Sequence, residues 1–413
     1  MTNDYEVVQS LLENYRDDEH YDRSDYDRFL AKHPLSKSAP LIHITGTNGV
    51  ADTGAFLANI YIAKGYHVGR YSSKEATSYR KMIQLDGKSL SKDAFCGIFY
   101  EFQKEFEAYH LTDLEAVAYM AYRFFATQKL DLLIMESNVG GQEDATRISG
   151  IPSTLAIITN VSLNQTYLLG KTDTQIAKDF AAIISEKGAV IVGGMDEEPR
   201  NVIRDHAAKM EASFAIVDDF HGAHYVAPSF RFDYRPFQNL SILSSASYLL
   251  PYAALAVDAC NRLQNLLPVD EYSLRKGLEM PPLPCRYEKF DNIILDSSDN
   301  PEAVMALAKS VRSQTIGRKV HVLFAADRDA NIARILPILD NVTNDITLTT
   351  YPDERARSEM DYFLFIGDHP YADDALIAVQ TMLSTYPEDL ILVTGNIRFA
   401  YWIREHIKEG LRF

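Results

Sequence analysis

Short uninterrupted apolar runs alternate along this chain with longer stretches in which apolar residues recur every three or four positions. The first pattern belongs to buried strands and the second to amphipathic helices. Residues 1–40 read as two short helices closed by His33-Pro34 and Ala39-Pro40. An apolar strand at 41–45 leads into a helical pattern over 53–64 that Gly65 stops, and a second strand covers 67–71. A hairpin turn is predicted at Asp86-Gly87, followed by two helices within 92–128. Strands follow at 132–135, ending on Glu136, and at 154–158, then a helix over 174–185 and strands at 189–193 and 214–217. The alternating aromatic stretch 225–243 predicts antiparallel strands added at the sheet edge. Two helices, 249–266 and 271–280, run up to Pro281-Pro282-Leu283-Pro284, the best domain boundary in the chain. Beyond it the alternation restarts, with strands at 293–296, 319–324, 345–349, 362–365 and 390–394 between helices. The expectation is an α/β protein of two domains, 1–282 and 283–413, each with a mostly parallel sheet.

The bulk numbers narrow the function. At 413 residues the chain exceeds one ordinary core, and 46% hydrophobic with 24% charged residues describes a globular protein. A formal charge of -16 argues against nucleic acid as a partner, since phosphates would go unneutralised on any large scale. No apolar run approaches the roughly 18 residues of a membrane helix, and the acidic start Asp4-Tyr5-Glu6 has no apolar signal core. Cys96, Cys260 and Cys285 are widely spaced and form no CxxC pair, so reduced thiols and a cytoplasmic location are expected.

The candidate chemistry begins where the first strand ends. Gly46-Thr47-Asn48-Gly49 opens the next helix, and glycines there let the backbone bend tightly and present helix amides to an anion. A phosphate loop places Lys and then Ser or Thr after its last Gly, an ammonium for the phosphates and a hydroxyl for Mg²⁺. Here Val50, Ala51, Asp52 and Thr53 follow. By itself the stretch is either an altered phosphate loop or a plain strand-to-helix turn.

Downstream motifs decide between these. With Gly46-Thr47-Asn48-Gly49, the strand-end Glu136 and Gly140-Gly141-Gln142-Glu143-Asp144-Ala145-Thr146 in order, nearly the whole chain resembles the folylpolyglutamate synthase/dihydrofolate synthase branch of the Mur ligase superfamily. The resemblance implies a P-loop-type Mur ligase central domain, a mostly parallel sheet with added antiparallel strands, followed by a smaller Rossmann-like α/β domain. It implies an ATP-dependent reaction in which a substrate carboxylate becomes an acyl phosphate that the amine of glutamate attacks. Carried over residue by residue, it makes Gly46, Thr47, Asn48, Gly49, Thr53, Arg286, Asp296 and Asn300 nucleotide positions, and Ser73 and Glu136 positions of Mg²⁺ ligands. The family pattern GTNGKGST reads GTNGVADT here, so its lysine is Val50. A metal-binding His of the family is Gln165, its carbamoylated Lys is Phe180, and a His of its C-terminal domain is Asp299. Lys187 matches a different lysine, before the next strand.

Residues that shape turns are thus retained, whereas Val50, Gln165, Phe180 and Asp299 replace groups that carry charge, metal or reaction. Such groups are worth about 10³–10⁵ in the rate of phosphoryl transfer. On this reading the chain is a pseudo-ligase with vestigial nucleotide and metal positions, no catalytic residue and no resident cofactor. It would bind a folate-like or other anionic small molecule, or regulate an active ligase partner. The alternative is an active ATP-dependent folate (dihydropteroate or tetrahydrofolate)–glutamate ligase with a rearranged site, using Mg²⁺ and ATP. Lys74, Arg80 and Lys81, interleaved with Tyr71 and Tyr79, form either an anionic-ligand loop or a solvated face. Glu136 either ligates a metal or accepts from nearby amides, and His43, inside the first strand, reads as a core histidine.

Overall fold

The computed structural model describes residues 4–15, 23–73, 78–314 and 317–410. The chain divides into two units, the first comprising Met1–Ala223, Arg231–Ile242 and Leu250–Met280, the second His224–Phe230, Leu243–Leu249 and Pro281–Phe413.

The first unit is built on an eight-stranded sheet. Its strands are β1 (Leu41–Thr45), β2 (Val68–Tyr71), β3 (Ile83–Leu85), β4 (Lys88–Ser89), β5 (Leu132–Glu136), β6 (Leu155–Ile158), β7 (Ala189–Val192) and β8 (Ser213–Ile216). They lie in the order β4-β3-β2-β5-β1-β6-β7-β8. β1, β5 and β6 are buried at every position, as continuous apolar runs between helices must be. Ile42 pairs with Ile134 on one side and Leu155 on the other, both in parallel register, which places β1 centrally. The hairpin expected at Asp86-Gly87 adds β3 and β4 antiparallel at one edge.

Helix Val50–Lys64 starts on Gly49, earlier than the apolar period suggested, because Val50, Ala51 and Asp52 are buried along with the later turns. It crosses helix Glu271–Leu278 closely: a Cβ at Gly277 would fall 2.4 Å from the Ile60 Cα. An aromatic cluster that includes Phe29, Phe99 and Phe106 forms a second core with Tyr119 and Phe125 of helix Asp113–Ala126, whose start is fixed by a Thr112/Glu115 capping box. The helix expected over 174–185 stops at Phe180 and finishes as a 3₁₀ turn, Ala181–Ile183.

A separate three-stranded sheet consists of β9 (His221–Val226), β10 (Ser229–Tyr234) and β11 (Phe237–Ile242), in the order β11-β10-β9. The second unit carries a six-stranded sheet of β12 (Glu288–Phe290), β13 (Ile293–Leu295), β14 (Val320–Phe324), β15 (Ile346–Thr349), β16 (Tyr371–Ala372) and β17 (Leu390–Thr394). The order is β12-β13-β17-β14-β15-β16, parallel throughout except for β12. The strand expected at 362–365 is absent. The Asp361 carboxylate accepts from the Ser358 amide and hydroxyl, 2.8 Å each, and turns the chain into a short 3₁₀ segment, leaving β16 to complete that edge. Among the described residues no helix is long and apolar enough to cross a membrane.

Candidate active site

The loop between β1 and helix Val50–Lys64 is pinned from below by the residues that follow β6. Asn160 Oδ1 accepts from the Asn48 amide at 2.9 Å, and the Thr159 hydroxyl donates to the Asn48 carbonyl at 2.6 Å. Thr47 Oγ1 donates to the Ser162 carbonyl at 3.2 Å and accepts from its amide at 3.0 Å. Both glycines are required. Gly46 has φ 148° and a Cβ there would lie 1.9 Å from Thr159 Oγ1, while at Gly49, φ 76°, it would enter the Tyr252 ring at 2.0 Å. The helix therefore begins with its amides turned to the loop. Inside its first turn the Thr53 hydroxyl is buried and has no hydrogen-bond partner. Thr159 and Asn160 are neighbours of the loop that sequence reasoning passed over, although a polar pair directly after an all-apolar strand was a usable signal.

The larger omission is Arg70. It lies in the otherwise apolar β2, next to β5, and is buried. Its Nε donates to Glu136 Oε1 at 2.7 Å, and its Nη2 donates to the Ala51 carbonyl at 2.8 Å, in the first turn of helix Val50–Lys64. Glu136 is 0% exposed; its Oε2 accepts from the Ser73 amide at 2.9 Å and the Ser73 hydroxyl at 3.3 Å. Burial raises the Glu136 carboxyl above its ordinary range, and the guanidinium and the Ser73 donors oppose that rise. The absence of a side chain at Gly54 makes room for the pair: a Cβ there would sit 2.1 Å from Glu136 Oε1 and 3.3 Å from Arg70 Nε. The site thus contains a buried cation that counting the family's lost lysine did not reveal.

In the second unit, buried Asp296 organises the segment after β13. Its Oδ2 accepts from the Tyr287 amide at 3.0 Å and from the Tyr248 hydroxyl, and its Oδ1 from the Ser298 amide at 3.0 Å and hydroxyl at 2.6 Å. Burial raises its carboxyl, and these donors counter the effect. Arg286 donates to Ser297 Oγ. Asn300 Oδ1 accepts from the Ala303 amide at 3.0 Å and so caps helix Pro301–Gln314. Asp327, after β14, accepts from Tyr351 and from Arg398 Nη1, the latter at 3.1 Å.

No protein-family model matches the chain. It is, however, 24% identical over 398 residues to the dihydrofolate synthase/folylpolyglutamate synthase of Bacillus subtilis (strain 168), covering 91% of this chain and 92% of that protein. Escherichia coli FolC in complex with ADP superposes with a TM-score of 0.85 at 26% identity, over 98% of this chain and 97% of the other. A bifunctional folylpolyglutamate synthase/dihydrofolate synthase with Mn, AMPPNP and L-glutamate bound gives 0.85 at 23%, over 98% of each. This chain is a relative of the folylpolyglutamate synthase/dihydrofolate synthases. Its fold is theirs, that of the Mur ligase superfamily.

These comparisons correct one expectation. The loss of Val50, Gln165 and Phe180 as charged or metal-binding groups pointed to a pseudo-ligase. The relatives are ligases over nearly the full length of both chains, and a solved neighbour holds ADP, which favours an active folate–glutamate ligase instead. The expectation weighed replaced groups one by one, whereas the likeness runs over nearly the whole of both chains.

The remaining positions can be placed against the folylpolyglutamate synthase pattern. Phe180 is 2% exposed and packs in an apolar cluster with Ile176, Ala177 and Ile183. Its neighbour Asp179 accepts from the Gly141 amide at 2.6 Å, so the Gly140-Gly141 loop is held by a carboxylate rather than by a lysine-borne group. Asp144 does the same from the other side, accepting from the Asn138 and Val139 amides at 2.7 and 2.8 Å. Gln165 has φ 47° and precedes a short helix, Thr166–Leu169. Lys187 is exposed and lies 3.7 Å from Glu186. His43 is buried against Thr146 Oγ1 at 2.9 Å, and burial pulls its imidazole down to about 3, a neutral core histidine. Of the basic loop, Lys74 lies outside the described residues and Lys81 is half-buried. Arg80 donates to the Leu90 carbonyl at 2.8 Å and stands over the Tyr5 ring.

Proposed function

We propose that this chain is an ATP-dependent ligase that joins glutamate to the carboxylate of a folate-type acceptor, dihydropteroate or tetrahydrofolate. The observation that supports it most is the loop after β1, whose two positive-φ glycines and pinned backbone open the following helix in the manner of an anion cradle. Gly46, Thr47, Asn48, Gly49 and Thr53 would receive the phosphates, and the unpartnered Thr53 hydroxyl is the kind of buried donor that a ligand satisfies. Arg70 neutralises Glu136 beside that cradle, which removes an anion from the path of a polyphosphate. In the domain at 283–413, Arg286, Asp296 and Asn300 are the proposed nucleotide positions; the domain at 1–282 carries the loop.

The reaction transfers the γ-phosphoryl of ATP to the acceptor carboxylate, giving ADP and an acyl phosphate. The amine of glutamate then attacks the acyl carbon, phosphate leaves, the amide forms and the amine gives up a proton. The helix amides stabilise charge on the transferring group without reorganising, which is where such sites gain most. The test is mass spectrometry of the acceptor after incubation with Mg²⁺, ATP, glutamate and either pterin acid. A glutamyl adduct is expected; its absence with both acceptors, while a relative turns over in the same buffer, would exclude the reading.

A further inference from the structure

The family resemblance assigns Ser73 and Glu136 to a divalent metal ion, and the residues around them do not fit one. Both oxygens of Glu136 are already engaged, Oε1 by the Arg70 guanidinium at 2.7 Å and Oε2 by the amide and hydroxyl of Ser73. Mg²⁺ demands near-octahedral oxygen ligands at about 2.0–2.1 Å, and a guanidinium in direct contact with the same carboxylate would place two cations on one anion. Among the described residues no group of three or more His, Cys, Asp or Glu side chains is arranged to hold a metal. The remaining Arg70 contacts, to the Ala51 carbonyl, Ser72 Oγ and Gln84 Oε1, tie the guanidinium to the loop helix and to the neighbouring strand. Arg is suited to such a place because it stays charged when buried and presents a rigid fork of donors.

We infer that Arg70 is the resident cation of this site: it takes the place at Glu136 that a divalent ion would occupy, so the chain holds no metal there and divalent ion arrives only as part of its nucleotide substrate. This rests on the ligase reading for the meaning of the site, but its test does not need turnover. Gly54 is the enabling residue, since any side chain there would close the space in which the guanidinium and carboxylate meet.

The experiment is electron paramagnetic resonance of Mn²⁺ added to the nucleotide-free full-length chain, in which bound ion subtracts from the free six-line signal. The wild-type chain is expected to leave the signal unchanged. Arg70→Ala, which frees Glu136 Oε1 beside Ser73, is expected to bind one Mn²⁺ at least about tenfold more tightly than wild type, and Arg70→Ala/Glu136→Gln to lose that binding. A wild-type Mn²⁺ site abolished by Glu136→Gln would overturn the inference. So would a folded Arg70→Ala that binds no better than wild type. If circular dichroism shows Arg70→Ala unfolded, the wild-type titration decides alone. A chain that fails to ligate glutamate would refute the ligase reading and leave the Mn²⁺ result standing as measured.

Discussion

Removing the guanidinium while keeping its stem is the sharpest perturbation of the site, and Arg70→Met does that. It leaves Glu136 at 0% exposure with only the Ser73 amide and hydroxyl as donors, at 2.9 and 3.3 Å. Breaking a buried ion pair from one side costs about 3–5 kcal/mol, because the remaining charge is stranded rather than hydrated. The carboxyl, already raised by burial, loses the opposing cation and rises further. An acid whose folded-state pKa lies above its unfolded value binds more protons when folded, so stability falls as pH climbs from the unfolded value toward the folded one. The penalty of Arg70→Met should accordingly be small near pH 4.5 and grow toward neutrality. Urea unfolding followed by far-UV circular dichroism and pulse proteolysis reads it; Trp402, the one tryptophan, belongs to the second unit and follows that unit alone. The double variant Arg70→Met/Glu136→Leu should recover most of the loss. A single-variant cost under about 1 kcal/mol, or a double variant no better than the single, would refute the claim that this pair is desolvated and coupled.

Gly54→Ala should destabilise the first unit by about 1–3 kcal/mol despite the higher helix propensity of Ala, since its Cβ would meet Glu136 Oε1 at 2.1 Å; an increase in urea midpoint would contradict this. Phe180→Ala should cost about 3–5 kcal/mol by cavity formation, and Phe180→Lys should fail to accumulate as a folded protein rather than restore a family group, both read by the same unfolding assay. Thr112→Ala removes one half of the capping box and should cost about 0.5–2 kcal/mol, with increased amide exchange confined to the start of helix Asp113–Ala126.

The fold was legible because burial and periodicity are local: β1, β5 and β6 are apolar throughout, and Gly65 and Asp86-Gly87 punctuate as their backbone angles require. The strand misplaced to 362–365 failed for a local reason too, a Ser358–Asp361 turn stronger than the apolar run after it. The site was legible only in its glycines. Arg70 and Glu136 are 66 positions apart and meet only because β2 and β5 are neighbours, so neither residue announces the other in sequence. A charged residue inside an apolar strand was nonetheless a signal, since it must find a partner or be expelled. Reading Val50 as a lost cation left the buried Arg70–Glu136 pair out of the picture of the site.

The proposed ligation requires a site that still moves a phosphoryl group. The direct measurement is ADP release by the wild-type chain with Mg²⁺-ATP, made with and without glutamate and with and without dihydropteroate or tetrahydrofolate. Steady ADP formation that needs both the pterin acid and glutamate, in step with the glutamylated product, is expected. ADP release that is absent, or that proceeds equally without acceptor, would contradict it.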